Sequence, residues 1–335
     1  MIENYLYDVK RGGGTRRDTF LSKKMTIQLK GIATLMVFAS HIPQVANIPT
    51  GVANLLAPMG YHGVAIFLFL SGYGCYISLE KNQNIVKFVK KRARAILPSL
   101  IVVTVIAAIA NYIVNGISYS PLELILNSFG LSHGILQLTW YIEFQYFCYM
   151  ASCVISKCIK CEHRAISFVA LAIAIYILSV TVHGANLWGL NYASYSIGMW
   201  VALYRKKILK FINTCSGYKM LCIFAEFLFL WMGLFGAIYF FLHNPTELVL
   251  RNILKGTISG AFIFALCSLI GLVNQKTCRL LEYIGTIAYE VYLIHGIFVF
   301  VIPTVLNNSL FRVTLMLLFS VFMAGLVKRV ESRFL

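Results

Sequence analysis

The chain has 335 residues, 59% of them apolar and only 12% charged, with a mean hydropathy of +0.77. That composition excludes a soluble globular domain and describes a polytopic membrane protein. The net charge of +17, from 29 Lys and Arg against 12 Asp and Glu, is compatible with a nucleic-acid binder only until the charges are placed along the chain. Their positions serve membrane topology and leave nucleic acid out as a partner.

Residues 1–26 form a basic, glycine-containing segment (Arg11-Gly-Gly-Gly-Thr-Arg-Arg17) without an apolar period. They are expected to be a mobile cytoplasmic tail lying along anionic headgroups. It leads into a full-length span with no small-residue cleavage site, so no cleavable signal peptide is expected. Ten segments then have the length and apolarity of a transmembrane helix: 27–48, 60–79, 95–115, 137–156, 165–183, 187–204, 220–242, 248–272, 281–302 and 310–327. Residues 328–335 are expected to be a short cytoplasmic tail. Threading the chain this way puts 26 of the 29 Lys and Arg on one side, leaving Arg251, Lys255 and Arg312 on the other. By the positive-inside rule both termini are cytoplasmic, and the fold class is an all-α bundle of about ten membrane helices with the lipid bilayer as its surround.

Within the first span, Lys30 and His41 stand eleven residues apart in an otherwise apolar stretch. Ionisable groups inside a bilayer are costly; they mark a functional site or are satisfied by a polar group of a neighbouring helix. At 1.5 Å per residue the two lie about 16 Å apart along the helix, with Lys30 near the inner end and His41 beyond the middle. Glu143, Glu226 and Glu290 are the carboxylates inside spans, and each is expected to be paired or wet. Glu290 and His295, five residues apart, do not share a helix face. Lys91, Arg92 and Arg94 satisfy the charge rule by position alone, yet they also supply the cationic donors that phosphates require. Arg251 and Lys255, four apart at an outer helix end, either reach to outer headgroups or hold an anionic acceptor. Of nine cysteines, five lie inside spans, and the run Cys158-Ile-Lys-Cys161-Glu-His163 lacks a fourth ligand, so no metal is expected. In Ser71-Gly72-Tyr73-Gly74 the small residues point to close helix packing rather than to a serine nucleophile.

Five blocks together carry a resemblance. They are Leu29 to His41, with Lys, ten residues, then His; Gly63 to Tyr73, with Gly-Val, aromatics and Ser-Gly-Tyr; Phe88 to Pro98, basic and ending Leu-Pro; Thr139 to Tyr146, opening Thr-Trp-Tyr; and Ile284 to His295, with Gly, Tyr, and Tyr-Leu-Ile-His. Their order on ten spans, over residues 27–327, resembles the membrane acyltransferase-3 family. Three positions depart from its pattern: Ala95 where an Arg is common, Ala288 for the usual Ser, and Lys30 for the commoner Arg. The resemblance implies transfer of an acyl group, usually acetyl, from cytoplasmic acyl-CoA to a hydroxyl of a sugar, glycan or other small acceptor. It also implies a bacterial plasma-membrane location and leaves room for a separate extracellular partner. His41 is then the catalytic general base, with Lys30 beside the donor path and Glu143 orienting one of them. Lys91, Arg92 and Arg94 are the expected acetyl-CoA or acyl-CoA contacts, and Tyr73, Trp140, Arg251, Lys255 and His295 the candidates for binding the acceptor. The competing class is a transporter of a small polar solute, which would show Gly- or Pro-broken helices in corresponding places of two halves.

Overall fold

The computed structural model describes residues 19–182, 185–241, 248–272, 278–301 and 309–334. Among these every regular element is helical: α1 (Lys23–Val45), α2 (Thr50–Leu56), α3 (Met59–Lys81), α4 (Ile85–Asn115), α5 (Pro121–Ser128), α6 (Trp140–Cys158), α7 (Arg164–Thr181), α8 (Ser194–Leu203), α9 (Arg205–Thr214), α10 (Gly217–Phe241), α11 (Leu248–Leu272), α12 (Arg279–Thr286), α13 (Ala288–Phe300) and α14 (Ser309–Phe334). Helices are what an apolar chain forms in hydrocarbon, because they satisfy every backbone donor and acceptor internally.

Seven candidate membrane spans are present among the described residues, and an eighth if α12 and α13, bent by 73°, make one broken span. Three of the ten expected spans therefore differ. The segment 137–156 is a helix of 19 residues, but Glu143 and Gln145 in its opening turns break its apolarity. The segment 187–204 is a 3-10 stretch, Ala185–Asn191, followed by the ten-residue α8. Ten residues cover about 15 Å, half of a ~30 Å hydrocarbon core. The segment 281–302 is interrupted at Ile287, whose φ of −110° and ψ of 15° leave the helical region. At the carboxyl end α14 runs on to Phe334, so most of the expected tail is helix. Charge does not end it because Lys328 and Glu331 pair with each other at 2.7 Å, three residues apart. The expected amino-terminal tail lies mostly outside the described residues.

The chain divides into two compact units. Of the described residues, the first takes those up to Thr26, 65–77 in the middle of α3, and those between 159 and 277. Here glycine sets the helix spacing: a Cβ on Gly72 would meet the Tyr195 carbonyl, and one on Gly198 the Phe69 carbonyl. This is the close packing that small residues permit between membrane helices. Tyr76 meets Phe168 edge to face at 5.9 Å, and Phe227 stacks on Phe264 at 5.3 Å.

The second unit takes residues 27–64, 78–158 and 278–335. Helix α1 is its axis. A Cβ on Gly31 would strike the Leu281 carbonyl and one on Gly285 the Ile27 carbonyl, so α1 and α12 touch backbone to backbone. On another side a Cβ at Gly63 would lie 2.7 Å from the Ala33 carbonyl. Phe38, Val45, Phe298, Val299 and Met316 form an apolar cluster that locks α1 to α13 and α14. Both Lys30 and His41 therefore stand on a helix fixed from several directions.

Candidate active site

At the Lys30 end of α1 the site is built from charge. Helix α4 starts at the Asn84 cap, whose side chain accepts from the Lys87 N–H at 2.9 Å. From there Lys87, Lys90, Lys91 and Arg94 recur at i, i+3, i+4 and i+7, one face of a helix. Together with Ala95, Lys328 and Glu331 they line an open cleft of about 720 Å³. Ala95, where an arginine was expected, is thus part of the cleft wall. Arg92 falls on another face: its guanidinium lies over the rings of Phe88 and Tyr149, at 5.1 and 5.2 Å. Of the three expected phosphate contacts, Lys91 and Arg94 line the cleft and Arg92 does not.

Behind the cleft lies a network that the sequence did not announce. Ser99 is 2.9 Å from a Glu290 carboxylate oxygen and 3.1 Å from one of Glu331. Lys328 reaches the same two carboxylates at 3.2 and 2.7 Å. Both glutamates are buried, and a buried carboxylate persists only when paired and hydrogen-bonded. The helix break at Ile287 places Glu290 in the first turn of α13, where free N–H groups favour a negative side chain. Arg92, Lys328 and Glu290 are the charged neighbours of Lys30, which joins the first span to this network.

At the other end the chemistry is neutral. The Nδ1–H of His41 donates to the Gln44 side-chain carbonyl at 2.9 Å, one helical turn on. With Nδ1–H as the donor, the lone pair sits on Nε2, the form a base requires. His295 lies next to it, with ring centroids 5.2 Å apart. Buried to 1% exposure, its Nδ1–H donates to the Val291 carbonyl at 3.0 Å, and its Nε2 has no hydrogen-bond partner among the described residues. Aromatic rings extend the series: Tyr292 lies 5.8 Å from His295 and 5.4 Å from Tyr141, and Trp140 lies 6.2 Å from Tyr141. The Tyr292 hydroxyl donates to the Leu138 carbonyl at 2.9 Å, anchoring α13 to the segment before α6.

Glu143 has a different partner from the one the sequence suggested. Its carboxylate is 3.1 Å from His133 Nε2, and His133 Nδ1 is 2.8 Å from the Thr139 hydroxyl. That hydroxyl reaches the Leu136 carbonyl at 2.6 Å. His133 lies ten residues before Glu143 in a loop, so no helical period could have linked them. Tyr73 and Lys255 belong to the other unit; Tyr73 is buried, 6.4 Å from Phe69, and Lys255 is half-buried on α11. The side chain of Arg251 lies outside the described residues. The transporter expectation required a broken helix in each of two halves; among the described residues there is one bent pair.

Residues 27–327 match the family model Acyl_transf_3, described as an acyltransferase domain. No match was found among curated proteins or among solved structures.

Proposed function

The chain belongs to this membrane acyltransferase-3 family and is an acyltransferase, and on that premise we propose that it carries an acetyl or other acyl group from acyl-CoA to a hydroxyl of a sugar, glycan or other small acceptor, with His41 as general base. An alcohol is a poor nucleophile at neutral pH. His41 Nε2 accepts the hydroxyl proton as the alcohol oxygen attacks the thioester carbonyl; the carbon–sulfur bond breaks, and the imidazolium returns the proton to the leaving thiolate. Atoms and charge balance, and the histidine is reset. The observation that supports this reading is the 2.9 Å contact of His41 Nδ1 with the Gln44 side chain, which leaves Nε2 to accept a proton on the same helix as Lys30.

Lys87, Lys90, Lys91 and Arg94 suit the phosphates of the donor, in charge and in their shared face. By the positive-inside rule these cations and both termini belong on the cytoplasmic side, where acyl-CoA is found, and the family resemblance suggests a bacterial plasma membrane. Lys30 and its network lie between cleft and base and keep the donor path cationic. Buried His295 acts through His41, positioning its ring, while Trp140 and Tyr141 form the aromatic edge where a sugar ring stacks. A separate extracellular partner is compatible with the same step when the acyl group is handed on.

The test is thiol release. Purified protein in lipid nanodiscs with acetyl-CoA and extracted envelope glycans should liberate free CoA, and His41→Ala should abolish the release while the protein stays folded. CoA release at the normal rate in that variant would reject the mechanism.

A further inference from the structure

A second cavity, of about 350 Å³, opens beside the His41 end of α1. Its walls include Pro43, Gln44, Asn47, Ile48 and, from α14, Arg312. The volume falls in the range of small-ligand sites. Gln44 both lines this cavity and holds His41 Nδ1, so whatever fills it borders the base. Arg312 is the cavity's charged lining residue. Among the described residues no carboxylate lies within ion-pair distance of it. It is also one of the three basic residues on the face that the charge rule depletes, so topology gives no reason for its presence. A half-buried guanidinium facing a cavity presents a planar fork of donors matched to a carboxylate or phosphate.

We propose that this cavity seats the acceptor, and that the acceptor carries an anionic group, carboxylate or phosphate, which Arg312 grips while the hydroxyl to be acylated faces His41. This rests on the transferase reading above and deepens it by naming the substrate class. A neutral sugar would leave the guanidinium unused; an acidic one is selected by it. The mechanism is unchanged, since Arg312 holds a part of the acceptor that does not react.

The experiment uses the full chain and four probes: methyl glucuronide with its neutral counterpart methyl glucoside, and glycerol 3-phosphate with glycerol. Binding is read by saturation-transfer NMR in maltoside detergent, and acyl transfer by thiol release. At least one anionic probe should bind ten-fold or more tightly than its neutral counterpart, and which one does so identifies the oxyanion as carboxylate or phosphate. Arg312→Gln should remove that preference without changing neutral-probe binding, and Arg312→Lys should restore part of it. His41→Ala should bind the anionic probe as the normal protein does, which separates this inference from the catalytic one. If probe binding depends on Arg312 but no thiol is ever released, the anion site stands and the transferase reading falls. Equal binding of charged and neutral probes, or an anionic preference that survives in Arg312→Gln, overturns the proposal. So does loss of binding in phosphatidylglycerol nanodiscs, because a lipid headgroup would then be the occupant.

Discussion

The two ends of helix α1 solve different problems with different side chains. Around Lys30 the protein gathers charge: a four-cation face on α4, a lysine bridging two buried glutamates, and a cleft of about 720 Å³. Around His41 it removes charge, leaving two imidazoles held by a side-chain amide and a backbone carbonyl, a rim of tyrosines, and one arginine in a smaller cavity. Phosphates are bound by many moderate contacts that tolerate loss of any one. Proton transfer depends on a single nitrogen in a single tautomer. The contrast therefore predicts that substitutions at one end weaken binding by degrees, while one substitution at the other ends the reaction.

The largest effect belongs to His41→Ala, which should lower the acyl-transfer rate by about 10² to 10⁴, the usual worth of a positioned general base; thiol release per mole of folded protein measures it. Next is Lys328→Met. It strips the cation from two buried carboxylates, a loss on the order of 3 kcal/mol for an enclosed pair and less here because Lys328 is 43% exposed. A clear drop in the thermal unfolding midpoint is expected, and Glu331→Gln in the same chain should recover part of it. An unshifted midpoint would show that the carboxylates are satisfied without the lysine.

Smaller again is the cleft. Charge-assisted contacts contribute about 1.5–3 kcal/mol each at best and less when exposed, so Lys91→Gln with Arg94→Gln should raise the KM for acyl-CoA roughly ten-fold and leave kcat near normal. Arg92→Gln is the control for the geometry, since its side chain stacks on Phe88 and Tyr149 away from the cleft. It should affect stability more than KM, and the reverse would mean that all three cations hold the donor. Membrane orientation is checked in parallel by reporter fusions, because these residues also set topology.

The smallest effect lies outside both ends, in the capping box of α5. The Ser120 backbone N–H and then its hydroxyl bond the Glu123 carboxylate at 2.8 Å each and hold its pKa below the ordinary carboxylate value. A depressed carboxylate adds stability above its unfolded pKa and loses it as pH falls through the lowered folded value. Hydrogen exchange in residues 121–128, corrected for its intrinsic pH dependence, should speed up across that acidic range and not at neutral pH. Ser120→Ala should exchange quickly throughout; identical profiles would remove the cap from the account.

Much of this organisation was readable before any coordinates. The eleven-residue interval from Lys30 to His41 translates through the helical rise into the two ends of one helix, and four of the five family blocks lie in the second unit, Gly63 to Tyr73 falling mostly in the first. The basic face of α4 is legible too: the i, i+3, i+4, i+7 spacing of residues 87, 90, 91 and 94 excludes Arg92 by rotation alone, although Lys91, Arg92 and Arg94 stand close together in sequence. The interruption at Ile287 was not readable, since no proline marks it and apolar residues continue on both sides. It is sustained by tertiary contact, with Gly285 against the Ile27 carbonyl and Glu290 drawn to Ser99 and Lys328. Lys328 and Glu331 looked like a tail because charge following an apolar run reads as the membrane boundary. Besides pairing with each other, they reach Glu290 and Ser99, which are distant in sequence, and no local pattern encodes those contacts. Glu143 likewise meets a loop histidine, His133, that no helical period connects to it.

The central claim, that one end of α1 binds the donor and the other moves the proton, is tested most directly by measuring acyl-CoA affinity and turnover separately in two variants. Calorimetric titration with a non-cleavable thioether analogue of acetyl-CoA gives the first quantity, and thiol release at saturating acetyl-CoA gives the second. His41→Ala should bind the analogue with normal affinity and release no thiol. Lys91→Gln with Arg94→Gln should bind it weakly and turn over at a near-normal rate once saturated. Normal turnover in His41→Ala, or undiminished affinity in the correctly oriented cleft variant, would contradict the division.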